Sequence, residues 1–238
     1  YWEATGDDSV FTPEWREALA LVLRTFAEQQ RKDDRGPYKF QRVTGWQTDT
    51  VAGAGYGNPT RPVGLIHSIF RPSDDATIYS FLVPSNHFAV RSLGQLAELA
   101  QGPGGAPPLA SPARAMAREV SGARREHAMV ERPGSGLVFP YEVDGFGNHL
   151  FMDDANVPSL LSMPYLGLVD LNDPVYQATR AFVLGPDNPY FFRGSAAEGI
   201  GGPHVGLDML WPMGIIMRAL TSREDREIAR CLEWLKAS

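Results

Sequence analysis

The chain has 238 residues, enough for one large or two modest domains, and its 43% hydrophobic and 21% charged content is ordinary for a globular fold. Acidic residues outnumber basic ones 28 to 22, a net charge of −6, so no basic stripe is available to neutralise phosphates and a nucleic-acid partner is excluded. No apolar run is long enough to span a bilayer, so no membrane role is expected, and the one cysteine, Cys231, has no partner for an internal disulfide.

In chain order, Thr12-Pro13-Glu14 opens a helix with a capping hydroxyl, a first-turn proline and an acid favoured by the helix dipole. Trp15, Leu19, Val22, Leu23 and Phe26 follow at helical spacing and predict a buried stripe running to about Lys32. Residues 36–64 are rich in glycine, proline and threonine and read as irregular, with one short strand near Tyr38–Arg42. A second long helix is predicted from Asp74 to Gln101, kinked at Pro84. Gln101 to Pro108 reads as a surface loop, and Ser111 to Arg132 as a third, more polar helix whose arginines are interleaved with Glu119 and Glu126. Residues 137–152 alternate as a hairpin turning at Asp144-Gly145. Shorter helices are expected at about 157–164 and 173–184, then a buried helix over Val205–Leu220. Thr221-x-x-Glu224 reads as a capping box for a last helix with Ile228, Cys231, Leu232 and Leu235 on one face. With no βαβ alternation and no repeat, the expected class is all-α, a helical toroid with long glycine-rich loops.

Three segments carry polar groups beside glycine, proline or aromatic residues where a predicted helix meets a loop, which is how a scaffold builds a site. Carboxylates among aromatic rings suit a sugar, which has polar edges and an apolar face. Ser73-Asp74-Asp75 pairs two acids at a predicted helix start, where like-charge repulsion would split their pKa values and leave one protonated as a general acid. From the residues alone an N-cap is the first reading of the same segment, and Arg71 stands ready to pair with either acid or a substrate hydroxyl. Asp153, Asp154 and Asn156 offer forked contacts to vicinal hydroxyls, or a turn and a helix cap; the spacing lacks the later glycine and the terminal glutamate of a calcium loop. His204, with Asp208 four residues on and Trp211 on the same predicted helix, reads as a neutral histidine bonding a sugar hydroxyl beside an aromatic platform. No second histidine falls in register for a metal, and none is expected. There is no Gly-x-Ser-x-Gly elbow, and the glycines of Gly53-Ala-Gly-Tyr-Gly57 precede no Lys-Ser/Thr pair that would cradle phosphate.

Longer strings carry a resemblance: Phe70-Arg-Pro-Ser-Asp-Asp-Ala76, Val83-Pro-Ser-Asn-His-Phe-Ala89, Tyr141 to Gly167 with Asp-Gly-Phe-Gly-Asn and Met-Asp-Asp-Ala-Asn-Val-Pro-Ser-Leu-Leu, and Gly201 to Ser222 with Gly-Pro-His-Val-Gly-Leu-Asp and Trp-Pro-Met-Gly. Together with Tyr38-Lys-Phe-Gln-Arg and Thr48-Asp-Thr, they resemble glycoside hydrolase family 125, the metal-independent exo-α-1,6-mannosidases. The resemblance implies an (α/α)6 barrel that hydrolyses terminal α-1,6-linked mannose from a glycan with inversion, using no metal and no cofactor. Its general acid falls on Asp75 or Asp74, with Arg71, Ser73, Asp153, Asp154, Asn156, His204, Asp208 and Trp211 binding substrate. Its base is a glutamate in a His-Glu-Ser-Phe-like motif beyond the Trp-Pro-Met-Gly segment. No such motif follows here, neither Glu142 nor Glu198 matches it, and an early Arg-Asp segment is also missing. Residues 1–238 are therefore expected to be the central part of one catalytic domain, a partial barrel lacking its N- and C-terminal portions, inactive alone and showing apolar helix faces. The rivals are a glucosidase- or trehalase-like hydrolase of the same ring architecture, and a glycan-binding module that has lost catalysis.

Overall fold

The computed structural model describes residues 1–41, 44–45 and 50–237. A one-turn helix α1 (Trp2–Thr5) precedes α2 (Pro13–Gln29), whose start follows the capping logic: Thr12 Oγ accepts the amide of Trp15 at 3.2 Å, with Pro13 in the first turn. A 3-10 turn at Gly53–Gly55 leads to a two-residue strand, β1 (Phe81–Leu82), and directly into α3 (Val83–Gln101). Helix α4 (Pro107–His127) returns along α3 after a tight turn. Small residues, Ala97 and Ala100 against Ala110 and Ala113, line this pair with Leu93 and Leu96, and Leu23 of α2 closes the cluster.

Two hairpins follow, β2 (Val130–Arg132) with β3 (Gly136–Val138), and β4 (Glu142–Val143) with β5 (His149–Leu150). Strand β1 joins the second on its other side, giving the antiparallel order β1-β4-β5 with Leu82 opposite Glu142. After α5 (Pro174–Val183), the hairpin β6 (Phe191–Arg193) and β7 (Glu198–Ile200) leads to α6 (Pro212–Leu220) and α7 (Asp225–Ala237). The main core gathers around the three-stranded sheet, where Phe81, Leu82, Tyr141, Leu160, Leu161, Met163 and Tyr176 are fully buried.

Helices and short strands alternate with long loops, so the helical class agrees with expectation only in its coarse form. Among the described residues, helix-on-helix packing rests mainly on α2 with α4, α3 with α4 and α6 with α7, and no ring is closed. The second long helix does not begin at Asp74. It begins at Val83, and Pro84 lies in its first turn, where a missing N–H costs nothing, so it starts the helix and does not kink it. The acidic Ser73-Asp74-Asp75 segment therefore gains nothing from a helix dipole. The predicted helix at 157–164 is a chain of turns, and the one predicted from Val205 begins only at Pro212. Thr221 is not an N-cap: it closes α6, donating its hydroxyl to Met217 O, while Ser222 Oγ accepts the amide of Glu224. Residues 38–41 form no strand, and Arg42, Thr48 and Asp49 lie outside the described residues. On α2 the stripe is buried only at Leu23, with Val22 exposed, because that helix meets its neighbours along a narrow line. No helix among the described residues is long and apolar enough to cross a membrane.

Candidate active site

Residues 69–77 form a tight hairpin. Phe70 and Ala76 bridge antiparallel, the Arg71 amide donates to Asp75 O at 2.8 Å, and the Asp74 amide donates to Arg71 O at 3.1 Å. Pro72 sits inside that turn, and Asp74 takes the left-handed φ of 70° that closes it, a conformation aspartate tolerates better than most residues. The reversal at residue 74 parts the two neighbouring acids. Asp74 is exposed, whereas Asp75 has no accessible surface. Asp75 Oδ2 accepts the Ser73 hydroxyl at 2.9 Å; its Oδ1 is buried with no hydrogen-bond partner among the described residues and lies 3.8 Å from His204 Nδ1.

Arg71, at the foot of the hairpin, donates through Nε to Glu142 Oε1 at 2.6 Å, and both side chains are buried. Glu142 Oε2 accepts the amides of Ile78 and Tyr79, each at 2.9 Å. The guanidinium lies over the Tyr141 ring, 5.6 Å from its centroid, and its Nη2 is buried and unpartnered.

Asp153 and Asp154 are both buried but serve different ends. Asp153 accepts the amides of Leu160 at 2.8 Å and Leu161 at 2.9 Å, holding the turns of the 157–167 segment, and burial pushes its pKa up to about 7 against those bonds. It is turned into the fold and binds backbone. Asp154 Oδ1 accepts both the backbone amide and the side-chain amide of Asn156, and its Oδ2 is buried without a partner. Burial again raises its pKa, opposed by Asn156, the Ser73 hydroxyl and Arg71. Gly202 lets the backbone pass close to this group, because a Cβ there would sit 3.0 Å from the Asp154 carboxylate.

His204 stacks on Trp211 with ring centroids 6.2 Å apart, half-exposed above Asp75. The two are not on one helix. Residues 202–206 form a bridged turn, and Trp211 is the residue preceding α6. Asp208, in the left-handed region at φ 61°, is exposed and outside the cluster, so its predicted helical register with His204 does not exist. No group of three or more His, Cys, Asp or Glu side chains is arranged to hold a metal among the described residues.

The sequence reading set Glu142 aside as no match for the base and gave Tyr141 and Tyr190 no role at the site. Burial lifts the Tyr141 phenol well above its usual range and raises that of Tyr190, and nearby Asp154 adds to both. A signal for Glu142 was present: it is the one acid inside the apolar run Leu137-Val-Phe-Pro-Tyr-Glu-Val143, where a charge needs a buried partner. Four buried polar atoms at this site have no protein partner among the described residues: Asp75 Oδ1, Asp154 Oδ2, Arg71 Nη2 and Tyr141 OH. Unsatisfied donors and acceptors beside an aromatic stack suit a polyhydroxylated ring.

Comparison with known proteins agrees with this chemistry. The profile of a family described as metal-independent alpha-mannosidase (GH125) matches residues 1–238. The Meiotically up-regulated gene 157 protein of Schizosaccharomyces pombe (strain 972) is 43% identical over 248 residues, taking in 100% of this chain and 48% of that protein. A solved Streptococcus pneumoniae structure, from work on metal-independent alpha mannosidases and the processing of N-linked glycans, is a non-productive substrate complex with alpha-1,6-mannobiose. It superposes with a TM-score of 0.94 at 36% identity, covering 99% of this chain and 56% of that one. The chain spans about half the length of the relatives it matches.

Proposed function

Because the chain belongs to the GH125 family of metal-independent α-mannosidases, we propose that it takes part in hydrolysing a terminal α-1,6-linked mannose from a glycan, with Asp75 as general acid. The observation that carries this reading is the unpaired, fully buried Oδ1 of Asp75 beside His204. A carboxyl group shielded from water and beside other unpartnered polar atoms is placed to protonate a departing glycosidic oxygen. Arg71 Nη2, Asp154 Oδ2 and Tyr141 OH bind hydroxyls, while Trp211 with His204 offers a flat face to the ring. The alternative sugar hydrolases are disfavoured by the family match and by the mannobiose complex of the solved relative.

Inversion needs a second carboxyl group about 6.5–9.5 Å from the acid, leaving room for water. Asp154, the other buried carboxyl group nearby, has its Oδ1 taken by the backbone and side-chain amides of Asn156. Glu142 and Asp153 are fully engaged with Arg71 and backbone amides. We therefore assign the water-activating base to polypeptide outside these 238 residues, in a complete (α/α)6 ring of which they form the central part. The chain alone is expected to bind α-1,6-mannobiose in calorimetry without releasing mannose. Joined to the rest of its domain, it should release mannose of inverted configuration by NMR, and Asp75→Ala should lower turnover at least about a hundredfold. Unchanged turnover in Asp75→Ala removes the acid assignment, and mannose release by the chain alone removes the external base.

A further inference from the structure

We propose that Arg31, Arg35 and Lys39, gathered about Tyr56 of the glycine-rich loop at residues 53–57, form an oxyanion site that takes a phosphate group. In sequence this loop precedes no Lys-Ser/Thr pair, the usual company of a phosphate cradle. The fold brings it cations from another segment. Arg31 follows the end of α2, and the chain then runs through Arg35 and Lys39 to Phe40, whose amide donates to Gly55 O at 3.0 Å. The guanidinium carbons of Arg31 and Arg35 lie 5.9 and 4.8 Å from the centroid of the Tyr56 ring, and Lys39 Nζ lies 6.0 Å from it.

Arg31 is the residue that calls for an anion. It is only 9% exposed, and a guanidinium does not give up its charge on burial. Its Nη1 donates to Tyr56 O at 2.8 Å and to His67 Nε2 at 2.9 Å, and its Nε is buried with no partner among the described residues. His67 brings no counter-charge, since burial and then Arg31 push its pKa down to about 3. Arg35 stands close enough to disfavour the Arg31 charge further. Asp33 and Asp34 share the segment but form no ion pair with these cations among the described residues; Asp34 Oδ1 accepts the Gly36 amide at 2.6 Å. A buried charge without a partner is costly, and a bound anion would remove that cost. One carboxylate would answer one of the three cations, whereas a phosphate carries about −1.5 to −2 and several acceptor oxygens. Arg35 and Lys39 are exposed and free to close on it, with Arg31 deeper. The Phe40 ring meets Phe70 edge-on at 5.5 Å, so the site borders the 69–77 hairpin. The phosphate can therefore be a free ion or a substituent on a sugar.

Calorimetry on the 238-residue chain at low ionic strength, with inorganic phosphate, mannose 6-phosphate and mannose, tests the site. Both phosphates should bind, and Arg35→Gln combined with Lys39→Gln should weaken them at least about tenfold while leaving mannose affinity unchanged. Both side chains are exposed, so this double variant keeps its fold. Phosphate should also raise the melting temperature of the parent, and Arg31→Met should abolish that rise; if Arg31→Met does not fold, the exposed pair carries the test alone. Mannose 6-phosphate binding at least about tenfold tighter than inorganic phosphate would identify a sugar-borne group, and equal binding the free ion; either result supports the oxyanion site. Failure of both phosphates to bind, phosphate binding that persists in the double variant or in folded Arg31→Met, or an equal loss of mannose binding overturns it.

Discussion

Asp74 and Asp75 are chemically identical neighbours, and one backbone angle divides them. At φ 70°, Asp74 occupies the conformation that lets the hairpin turn and points its neighbour inward. Side chains branched at Cβ are strained there, so Asp74→Val should destabilise the chain by about 1–2 kcal/mol, and Asp74→Gly by less than half as much, in thermal or urea melts. Equal losses would mean that the turn does not depend on this angle. The motif singled out the pair as a candidate but did not separate its members, because left-handed backbone at a non-glycine residue has no strong sequence mark. Glu142 escaped for a related reason: its value depends on Arg71, far away in the chain and close in space.

At the scale of elements, the 151–167 segment shows why periodicity misled. Its apolar residues repeat as a helix would, but Asp153 takes the amides of Leu160 and Leu161 and holds the chain in turns. Burial raises the Asp153 pKa to about 7 from an unfolded value of about 3.9. The native state therefore binds the extra proton between those values. The stability this group contributes is fully present below about pH 4 and is lost as pH rises through about 7, an effect on the order of 4 kcal/mol. Denaturant titrations across that window should show the slope, and Asp153→Asn should flatten it while lowering stability at pH 5 by about 1–3 kcal/mol, since one amide loses its acceptor. A slope that persists in Asp153→Asn would assign it to another group. Helices whose caps are local, such as α2 at Thr12-Pro13, were legible. The start of α3 was misplaced because Pro84 fits both a kink and a first turn, and only the sheet pairing of Phe81 and Leu82 decides between them.

For the whole molecule, what ties the last two helices to the body is a charge network. Glu227 of α7 accepts from Arg180 of α5 at 2.8 Å and from Arg218 of α6 at 2.7 Å, and Arg218 also meets Glu198 of β7 at 3.1 Å. These groups are mostly buried, and removing the shared carboxylate leaves two arginines facing each other. Glu227→Gln should cost about 1–3 kcal/mol, with amide exchange rising in α7 before the rest of the chain. Uniform exchange would show that α7 is held by packing instead. The helical class was readable from spacing, but ring closure is a property of many helices together and is not written in any one of them.

Every side chain gathered around Asp75 arrives from a hairpin, a turn or a two-residue strand, while the alanine-lined pair of long helices sends none there. Durability and the proposed chemistry thus draw on separate stretches of sequence. A drifting gene could rewrite the outer faces of that pair for generations and leave the proposed site untouched, whereas a single inserted residue in a loop such as 69–77 would reach it at once.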